Sequence, residues 1–134
     1  MLTLKNSILI SILVVTGSLL FVFPALAVDV SISPTNISVT ASSQFTVTVK
    51  INDVTDLSGV AFDLLFDPNV LEFVSAGEGG FLNQDGATTF FLVGESFPGD
   101  LVVGDSRLVE TGVTGSGDLI NLNFKALTDG TSNL

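Results

Sequence analysis

The amino-acid sequence predicts an all-β protein built as a two-sheet sandwich, and three observations lead to that fold class. Hydrophobic and polar residues alternate in several short segments, as they do in strands that bury one face of an antiparallel sheet. Turn signals rich in Gly, Pro, Asn and Asp separate these segments by about 8 to 15 residues. No window has the period of an amphipathic helix. The spacing is typical of a sandwich or jelly roll.

The N-terminal segment, residues 1–27, has the order of a secretory signal peptide. Lys5 supplies a positive charge, Ile8–Phe23 is mostly apolar, and Ala25-Leu26-Ala27 offers small residues for cleavage. We therefore expect cleavage near Ala27 and a secreted or cell-surface protein. An uncleaved membrane anchor is the alternative, because Ile8–Ala27 is nearly long enough to span a bilayer.

Residues 28–134 are predicted to form one domain, which opens with alternating segments. Val28–Ile32 alternates apolar and polar residues, and Ile37–Val39 resumes the pattern. The clearest strand is Phe45–Ile51, with its apolar residues on one face and Thr, Lys and Asn on the other. A turn region is predicted from Asn52 to Gly59.

Further strands follow at similar spacing. Val60–Phe66 alternates and is stopped by Asp67-Pro68-Asn69, because proline cannot donate to a ladder and Asp and Asn favour turns. The remaining predicted strands are Leu71–Phe73, Ala87–Val93, Leu101–Val109 and Ile120–Ala126, with turns at Asn83–Gly86, Pro98–Asp100 and Gly115–Asp118. Ser132–Leu134 resembles the start of another strand, so we expect the chain to be a piece of a longer protein.

The inward faces of these strands supply phenylalanines for a core between two sheets. They are Phe45, Phe62, Phe66, Phe73 and Phe124.

Composition excludes several classes of function. The chain has 14 acidic and 4 basic residues and a net charge of −10, so it lacks the basic footprint of a nucleic-acid binder or a polybasic membrane patch. It contains no Cys and no His, which excludes disulfides, thiolate nucleophiles, imidazole bases and zinc sites built from either residue. The sequence therefore predicts a protein that is not an enzyme, with no catalytic residues and no cofactor.

The acidic residues lie mostly in or beside predicted turns. A calcium-binding loop is one interpretation, because calcium takes several oxygen ligands. Turn formation and solvation is the other, and we favour it because no loop alternates several acids ahead of a glycine. We predict no metal site. Arg107, the only arginine, is expected either to take part in an interface or to form a surface ion pair.

Exposed aromatic rings would suit a carbohydrate-binding face, and only Phe is available for it. Clean alternation does not account for four rings, which are Phe81, Phe90, Phe91 and Phe97. Phe90 and Phe91 place one ring on each face of their strand, so they are the candidate glycan-binding residues. Packing in the core is the alternative, and we favour it.

Several motifs together resemble those of a cohesin domain. They are Val-x-Val-x-Ile-x-Pro from Val28, Phe-x-Val-x-Val-x-Ile from Phe45, and a block from Gly59 through Asp67-Pro68 to Leu71-Glu72-Phe73. The strand Leu119–Ala126 completes the pattern. The block that runs from glycine to Asp-Pro-x-x-Leu-x-Phe is the most specific part, and the resemblance covers residues 28–134.

The resemblance implies a nine-stranded jelly-roll sandwich of cohesin type, with its last two strands beyond Leu134. It also implies a non-catalytic module that binds the calcium-loaded dockerin of another protein, in trans, with the calcium on the dockerin. In the family one sheet binds the partner and includes the strand matching Gly59–Phe66, so the implied partner-binding residues are Ala61, Asp63 and Leu65. The segments matching Thr88–Val93 and Leu101–Asp105 should flank that strand.

The resulting hypothesis is an exported protein-interaction module that serves extracellular polysaccharide-degrading or cell-surface assemblies. The alternative is a carbohydrate-binding or adhesive structural module on the same sandwich, with polysaccharide as its ligand.

Overall fold

A computed structural model describes residues 28–134, and the predicted signal peptide lies outside this part of the chain. The described residues form seven strands, and no helix occurs among them. The strands are β1 (Asp29–Ser33), β2 (Gln44–Leu57), β3 (Gly59–Leu65), β4 (Leu71–Glu78), β5 (Thr89–Phe97), β6 (Asp100–Arg107) and β7 (Val113–Ala126). Accordingly, nothing in the described part could cross a membrane as a helix.

The strands form two antiparallel sheets that pack into a sandwich. The four-stranded sheet has the order β1-β2-β7-β4, and the three-stranded sheet has the order β3-β6-β5. The all-β two-sheet prediction is confirmed. Strand β3 pairs with β6 over its whole length, from Gly59 opposite Ser106 to Leu65 opposite Asp100.

The core between the sheets is centred on Phe124, which is fully buried. Its ring stacks on Phe45 at 6.1 Å and meets the edges of Phe66 at 5.2 Å and Phe73 at 6.0 Å. Phe66 is buried, while Phe45, Phe62 and Phe73 are partly buried and pack against the core. All five phenylalanines predicted to face inward therefore do so.

Strands β2 and β7 are longer than the sequence predicts, because two predicted turns are paired stretches of strand. Asp53 and Asp56 have positive φ angles of 49° and 55° and lie at irregularities of β2, opposite the region of Gly115, which has φ 127°. Such irregularities are β-bulges, which insert residues without ending the ladder. The turn predictions for Asn52–Gly59 and Gly115–Asp118 were wrong, because Asp and Gly signal bulges as well as turns.

Side chains satisfy the backbone groups that these bulges release. The hydroxyl of Ser116 accepts the N–H of Asp53 at 2.9 Å, and the hydroxyl of Thr114 accepts the N–H of Asp56 at 3.1 Å. The carboxylate of Asp56 accepts the N–H of Gly112 at 2.9 Å. These hydrogen bonds hold β2 and β7 together at the bulged end of the pair.

Other sequence predictions had mixed outcomes. The turn at Asp67 forms, with its carboxylate accepting the N–H of Asn69 at 2.9 Å, and the turn at Pro98 forms with Gly99 at φ 87°. By contrast, Ile37–Val39 lies outside every strand, and Ile37 is exposed. Residues 132–134 form no strand either.

Candidate functional site

The outer face of the three-stranded sheet exposes an unusual number of apolar side chains. Leu65 on β3, Phe90 and Leu92 on β5, and Val102 on β6 are between 38 % and 62 % exposed. Phe97 at the end of β5 is 60 % exposed. We call this surface the apolar face. It is the type of patch that commonly marks a protein-interaction site.

The register of the sheet places these residues in rows. Leu92 lies opposite Gly104, which lies opposite Ala61 on the far side. In the neighbouring row Phe90 lies opposite Ser106, and Ser106 lies opposite Gly59. Large side chains therefore stand on β5, and small residues occupy β6 and β3 in the same rows.

This difference in size leaves a shallow depression of about 430 Å³ on the apolar face. Its lining is mostly apolar. The lining residues are Gly59, Val60, Ala61, Phe90, Leu92, Gly104, Asp105 and Ser106.

The three implied partner-binding residues all lie on this face. Ala61, Asp63 and Leu65 are exposed, while Val60, Phe62 and Leu64 between them turn inward. Within residues 28–134, no side chain forms a hydrogen bond or an ion pair with the Asp63 carboxylate. The segments expected to flank this strand lie in the same sheet, with β6 in the centre and β5 on its other side.

The candidate glycan-binding rings lie on opposite sides of β5. Phe90 is 58 % exposed, whereas Phe91 packs against the core. Phe81 is buried at 5 % exposure, as the core interpretation expected, and Phe97 is on the surface. Phe90 is thus the only member of the Phe90–Phe91 pair available to a ligand on the apolar face.

The outer face of the four-stranded sheet has the opposite character, and we call it the polar ladder. The hydroxyl of Thr46 donates to the Asn123 carbonyl at 2.6 Å, and that of Thr48 donates to Asn121 at 2.8 Å. Asn123 also donates to the Ser75 hydroxyl at 2.9 Å. Much of the hydrogen-bonding capacity of this surface is therefore used within the sheet.

Two inward-facing charges on β6 were not recognised in the sequence. Arg107 has a side chain that is only 1 % exposed and forms a bidentate ion pair with Asp85, with nitrogen–oxygen distances of 2.9 and 2.7 Å. It also donates to the carbonyls of Leu82 and Thr111. Arg107 therefore forms an ion pair as expected, but its own side chain is buried rather than on the surface, and it fastens the loop carrying Asp85 to the sandwich.

Asp105 is the second inward charge, and it is 2 % exposed. No donor from the described residues reaches its Oδ1 atom. Burial, reinforced by the nearby Glu78 carboxylate, raises the pKa of Asp105 to about 6. The hydrogen bond from Arg107, with one from the N–H of Ala87, instead lowers the pKa of Asp85 to about 2. Residues alternate strictly along Leu101–Arg107, and this pattern places Asp105 and Arg107 on the inward face. They were missed because only apolar residues were assigned to the core.

The acidic residues do not converge. Residues 28–134 contain no group of three or more acidic side chains placed to hold a metal ion. Asp67 caps its turn, Asp53 and Asp56 support bulges, and Asp85 pairs with Arg107. The structure favours structural roles for these acids over a calcium-binding loop.

Comparison with known proteins identifies relatives of the fold. The family model described as the cohesin domain matches residues 30–134. No curated protein matches the chain significantly in sequence.

Among solved structures, the second type II cohesin module of the ScaA scaffoldin of Acetivibrio cellulolyticus is 19 % identical, with a TM-score of 0.66 over 81 % of this chain and 74 % of that one. The sixth cohesin of scaffoldin B from the same organism, solved with a mutant Cel5 dockerin, is 21 % identical, with a TM-score of 0.62 over 78 % and 74 %. A cohesin module of a family 33 glycoside hydrolase from Clostridium perfringens is 17 % identical, with a TM-score of 0.59 over 77 % and 73 %. At these identities the matches show the shared fold.

Proposed function

Because the chain belongs to the cohesin domain family, we propose that it is an exported docking module that binds the calcium-loaded dockerin of a separate protein. Cohesin domains are non-catalytic binding modules, so the prediction that the chain is not an enzyme is confirmed by its family. The proposed docking surface is the apolar face, with Ala61, Asp63 and Leu65 among its contacts. The exported location rests on the signal peptide predicted for residues 1–27.

The observation that carries this proposal is the contrast between the two outer faces. Leu65, Phe90 and Leu92 are each more than half exposed on one face, and covering them would remove apolar area from water. The polar ladder offers no comparable gain, because its groups already bind one another. Solved relatives include cohesins in complex with dockerins, which supports a partner of that class.

We further propose that the partner carries the activity and this chain supplies the attachment. A dockerin-bearing polysaccharide-degrading enzyme would then be held in an extracellular or cell-surface assembly. The calcium requirement would belong to the dockerin, consistent with the scattered acidic residues of this chain.

The test is to immobilise the purified chain and pass the secreted proteins of its host over it, first with calcium and then with a chelator. A dockerin-bearing protein that is retained only with calcium is the expected result. A column that retains no such protein, although circular dichroism shows folded β-structure, would overturn the proposal.

Carbohydrate binding remains the second proposal, and the 58 % exposure of Phe90 is the observation that favours it. A flat apolar ring beside the Ser106 hydroxyl could stack on a sugar. Binding on a glycan array that is lost in Phe90→Ala and kept in Phe91→Leu would support this function. An empty array would count against it.

A further inference from the structure

We propose that the Asp129-Gly130 peptide is a site of spontaneous covalent modification, where the Asp129 side chain closes on the Gly130 nitrogen and reopens as isoaspartate. The chain contains a second Asp-Gly pair, Asp85-Gly86, and the fold restrains that pair from the same reaction. The proposal goes beyond docking and does not depend on it, because the reaction uses only this chain and water.

The reaction needs a free nitrogen nucleophile and a neutral carboxyl group. The Gly130 nitrogen forms a bond to Cγ of Asp129, the Cγ–OH bond breaks, and the hydroxyl leaves with the N–H proton as water. Water then adds to the main-chain carbonyl carbon of Asp129 in the resulting five-membered ring, and the bond from that carbon to the Gly130 nitrogen breaks. The peptide link now runs through Cγ, and the former main-chain carbonyl is a carboxylate. The mass of the chain is unchanged.

Both reacting groups are free at Asp129 and Gly130. The two residues are exposed and follow β7, outside every strand. Within residues 28–134, the Asp129 carboxylate takes part in no hydrogen bond or ion pair, and the Gly130 N–H donates to no acceptor. Glycine has no Cβ to shield its nitrogen and adopts a wide range of backbone angles. The Asp129 carboxyl group can therefore meet the nitrogen.

Asp85 and Gly86 are restrained at both reacting groups. The Gly86 N–H donates to the Asn83 carbonyl at 2.8 Å, so the nucleophile is engaged in a turn. The two carboxylate oxygens of Asp85 accept from Arg107 at 2.9 and 2.7 Å, and one of them also accepts the N–H of Ala87. These bonds lower the pKa of Asp85 to about 2. At pH 6 a carboxyl group with that pKa is neutral about a hundredfold less often than an ordinary aspartate.

The modification would lengthen the main chain by one bond, about 1.5 Å, between two contacts with the turn that joins β3 to β4. On one side, the N–H of Leu127 donates to the Val70 carbonyl at 2.8 Å. On the other side, the Ser132 hydroxyl accepts the N–H of Asp67 at 2.9 Å. Gly130 itself packs closely, since a Cβ atom there would lie 3.2 Å from a methyl group of Val70. We therefore expect isoaspartate to loosen these contacts and leave β6 unaffected.

The first test compares the two Asp-Gly pairs in the folded and the unfolded chain. The purified chain is kept at 37 °C and pH 6 for several weeks, in buffer and in guanidinium chloride. Mass spectrometry with electron-transfer fragmentation locates isoaspartate in tryptic peptides, and cleavage after Arg107 separates the two pairs. In buffer we expect at least tenfold more isoaspartate at Asp129 than at Asp85. In guanidinium chloride we expect the two yields to agree within threefold.

Two results of this comparison would overturn the proposal. The first is no isoaspartate at Asp129 in the folded chain, or as much at Asp85 as at Asp129. The second is an excess at Asp129 that persists unchanged in guanidinium chloride, because the difference would then come from the flanking sequence and not from the fold.

Two variants test the reacting groups separately. Arg107→Gln removes the two hydrogen bonds to Asp85 and should raise isoaspartate there at least tenfold, with the yield at Asp129 within twofold of the native value. Asp129→Asn replaces the leaving water by ammonia on an exposed residue, so the fold is retained whatever the outcome for Arg107→Gln. It should modify at least tenfold faster than the native chain at pH 7. Slow reaction of Asp129→Asn would overturn the claim that the Gly130 nitrogen is free.

Hydrogen exchange tests the structural consequence. In the isomerised chain, the amide protons of Asp67 and Leu127 should exchange at least threefold faster than in the fresh chain. Those of Leu101 and Val103 in β6 should keep their rates. Unchanged exchange at Asp67 and Leu127 would show that the added bond does not loosen these contacts, and would overturn that part of the proposal.

Discussion

The two outer faces of the sandwich are both built from antiparallel strands, yet they use their side chains in opposite ways. On the polar ladder Thr46, Thr48, Asn121 and Asn123 satisfy one another across β2 and β7. On the apolar face Leu65, Phe90 and Leu92 are each more than half exposed to solvent. A surface whose polar groups are already paired gains little from a partner, whereas an exposed apolar surface gains from being covered.

The two sheets also differ in whether their charged residues are buried or exposed. All three buried polar or charged residues of the described chain, Asp100, Asp105 and Arg107, belong to β6, the centre of the three-stranded sheet. The four-stranded sheet keeps its ionisable groups on the surface, as in the pair of Lys50 and Asp118. The same sheet that presents the apolar face therefore also carries Asp105, whose pKa is raised by burial.

The largest expected effect is on docking, and it compares the two faces directly. Leu92→Asp should weaken dockerin binding by at least about thirtyfold, or about 2 kcal/mol, because it places a charge at the centre of a desolvated contact. Thr46→Asp on the polar ladder should change binding less than twofold. Calorimetric titration of both variants checks this difference. Comparable losses from both substitutions would show that docking does not select the apolar face.

The second-largest expected effect is a pH dependence of the free energy of unfolding, which arises from Asp105 in the three-stranded sheet. The pKa of Asp105 is raised to about 6, so the folded protein binds its proton more readily than the unfolded chain, and the free energy of unfolding should rise as pH falls from 7 to 4. The expected gain is on the order of 2 kcal/mol. Below pH 4 stability should fall again, because the lowered pKa of Asp85 means that its pairing with Arg107 is lost toward pH 2.

Urea unfolding of the native chain and Asp105→Asn between pH 4 and 8 tests this expectation. The variant should show a nearly flat profile above pH 4 and exceed the native stability at pH 7. A native-like slope in Asp105→Asn would assign the pH dependence to another group.

A smaller effect is expected from a pair on the polar ladder. Thr48 and Asn121 lie directly opposite each other and are joined at 2.8 Å. A double-mutant cycle with Thr48→Val and Asn121→Ala should give a coupling free energy of about 0.5 to 1 kcal/mol, the usual size for a cross-strand pair. Chemical denaturation measures it. A coupling free energy near zero would mean that the hydrogen bond between these two side chains adds no stability to the backbone pairing of β2 and β7.

The smallest effect belongs to the ion pair at the end of the ladder. Lys50 and Asp118 are 2.6 Å apart, with side chains 41 % and 43 % exposed. Lys50→Met should cost less than about 1 kcal/mol, and the cost should shrink further in 1 M salt. Thermal unfolding at low and high salt provides the measurement. A loss that does not depend on salt would indicate packing of the lysine stem instead.

Alternation predicted much of this architecture because one side of each strand is buried. Phe45, Phe66 and Phe124 were placed inward and Ala61 and Leu65 outward from spacing alone, with the family resemblance adding only their role. A shift of the strand register by one residue would turn the buried side chains toward solvent. A strand with one buried face therefore has one favoured register, which the alternation in the sequence reveals.

The same reasoning failed where the spacing changes within a strand. The buried residues of β2 continue from Ile51 to Val54 at a spacing of three, because bulges add residues on the outer side. Asp53, Asp56 and Gly115 then resemble turn residues, although each lies within a ladder. Whether such a residue lies in a turn or in a bulge depends on pairing with a strand distant in the chain. The local sequence does not identify that partner strand.

The depression on the apolar face was beyond reach of the sequence, whereas alternation could have placed the buried charges. The depression depends on which residues of β3 and β5 lie beside Gly104, and that is set by register across three strands. The partner of Arg107 could not be identified from the sequence, because Asp85 lies 22 residues earlier in a loop.

The position of β7 between β2 and β4 has a consequence for the order in which the protein folds during synthesis. Thr48 and Asn121, which pair across β2 and β7, are 73 residues apart in the chain, whereas β5 and β6 are joined by Pro98 and Gly99 alone. Closing the longer loop costs more entropy and is slower, so the hairpin is expected to form first. The centre of the larger sheet stays vacant until the last strand of the described chain is available. A nascent chain is therefore expected to close its core only after β7 has emerged from the ribosome.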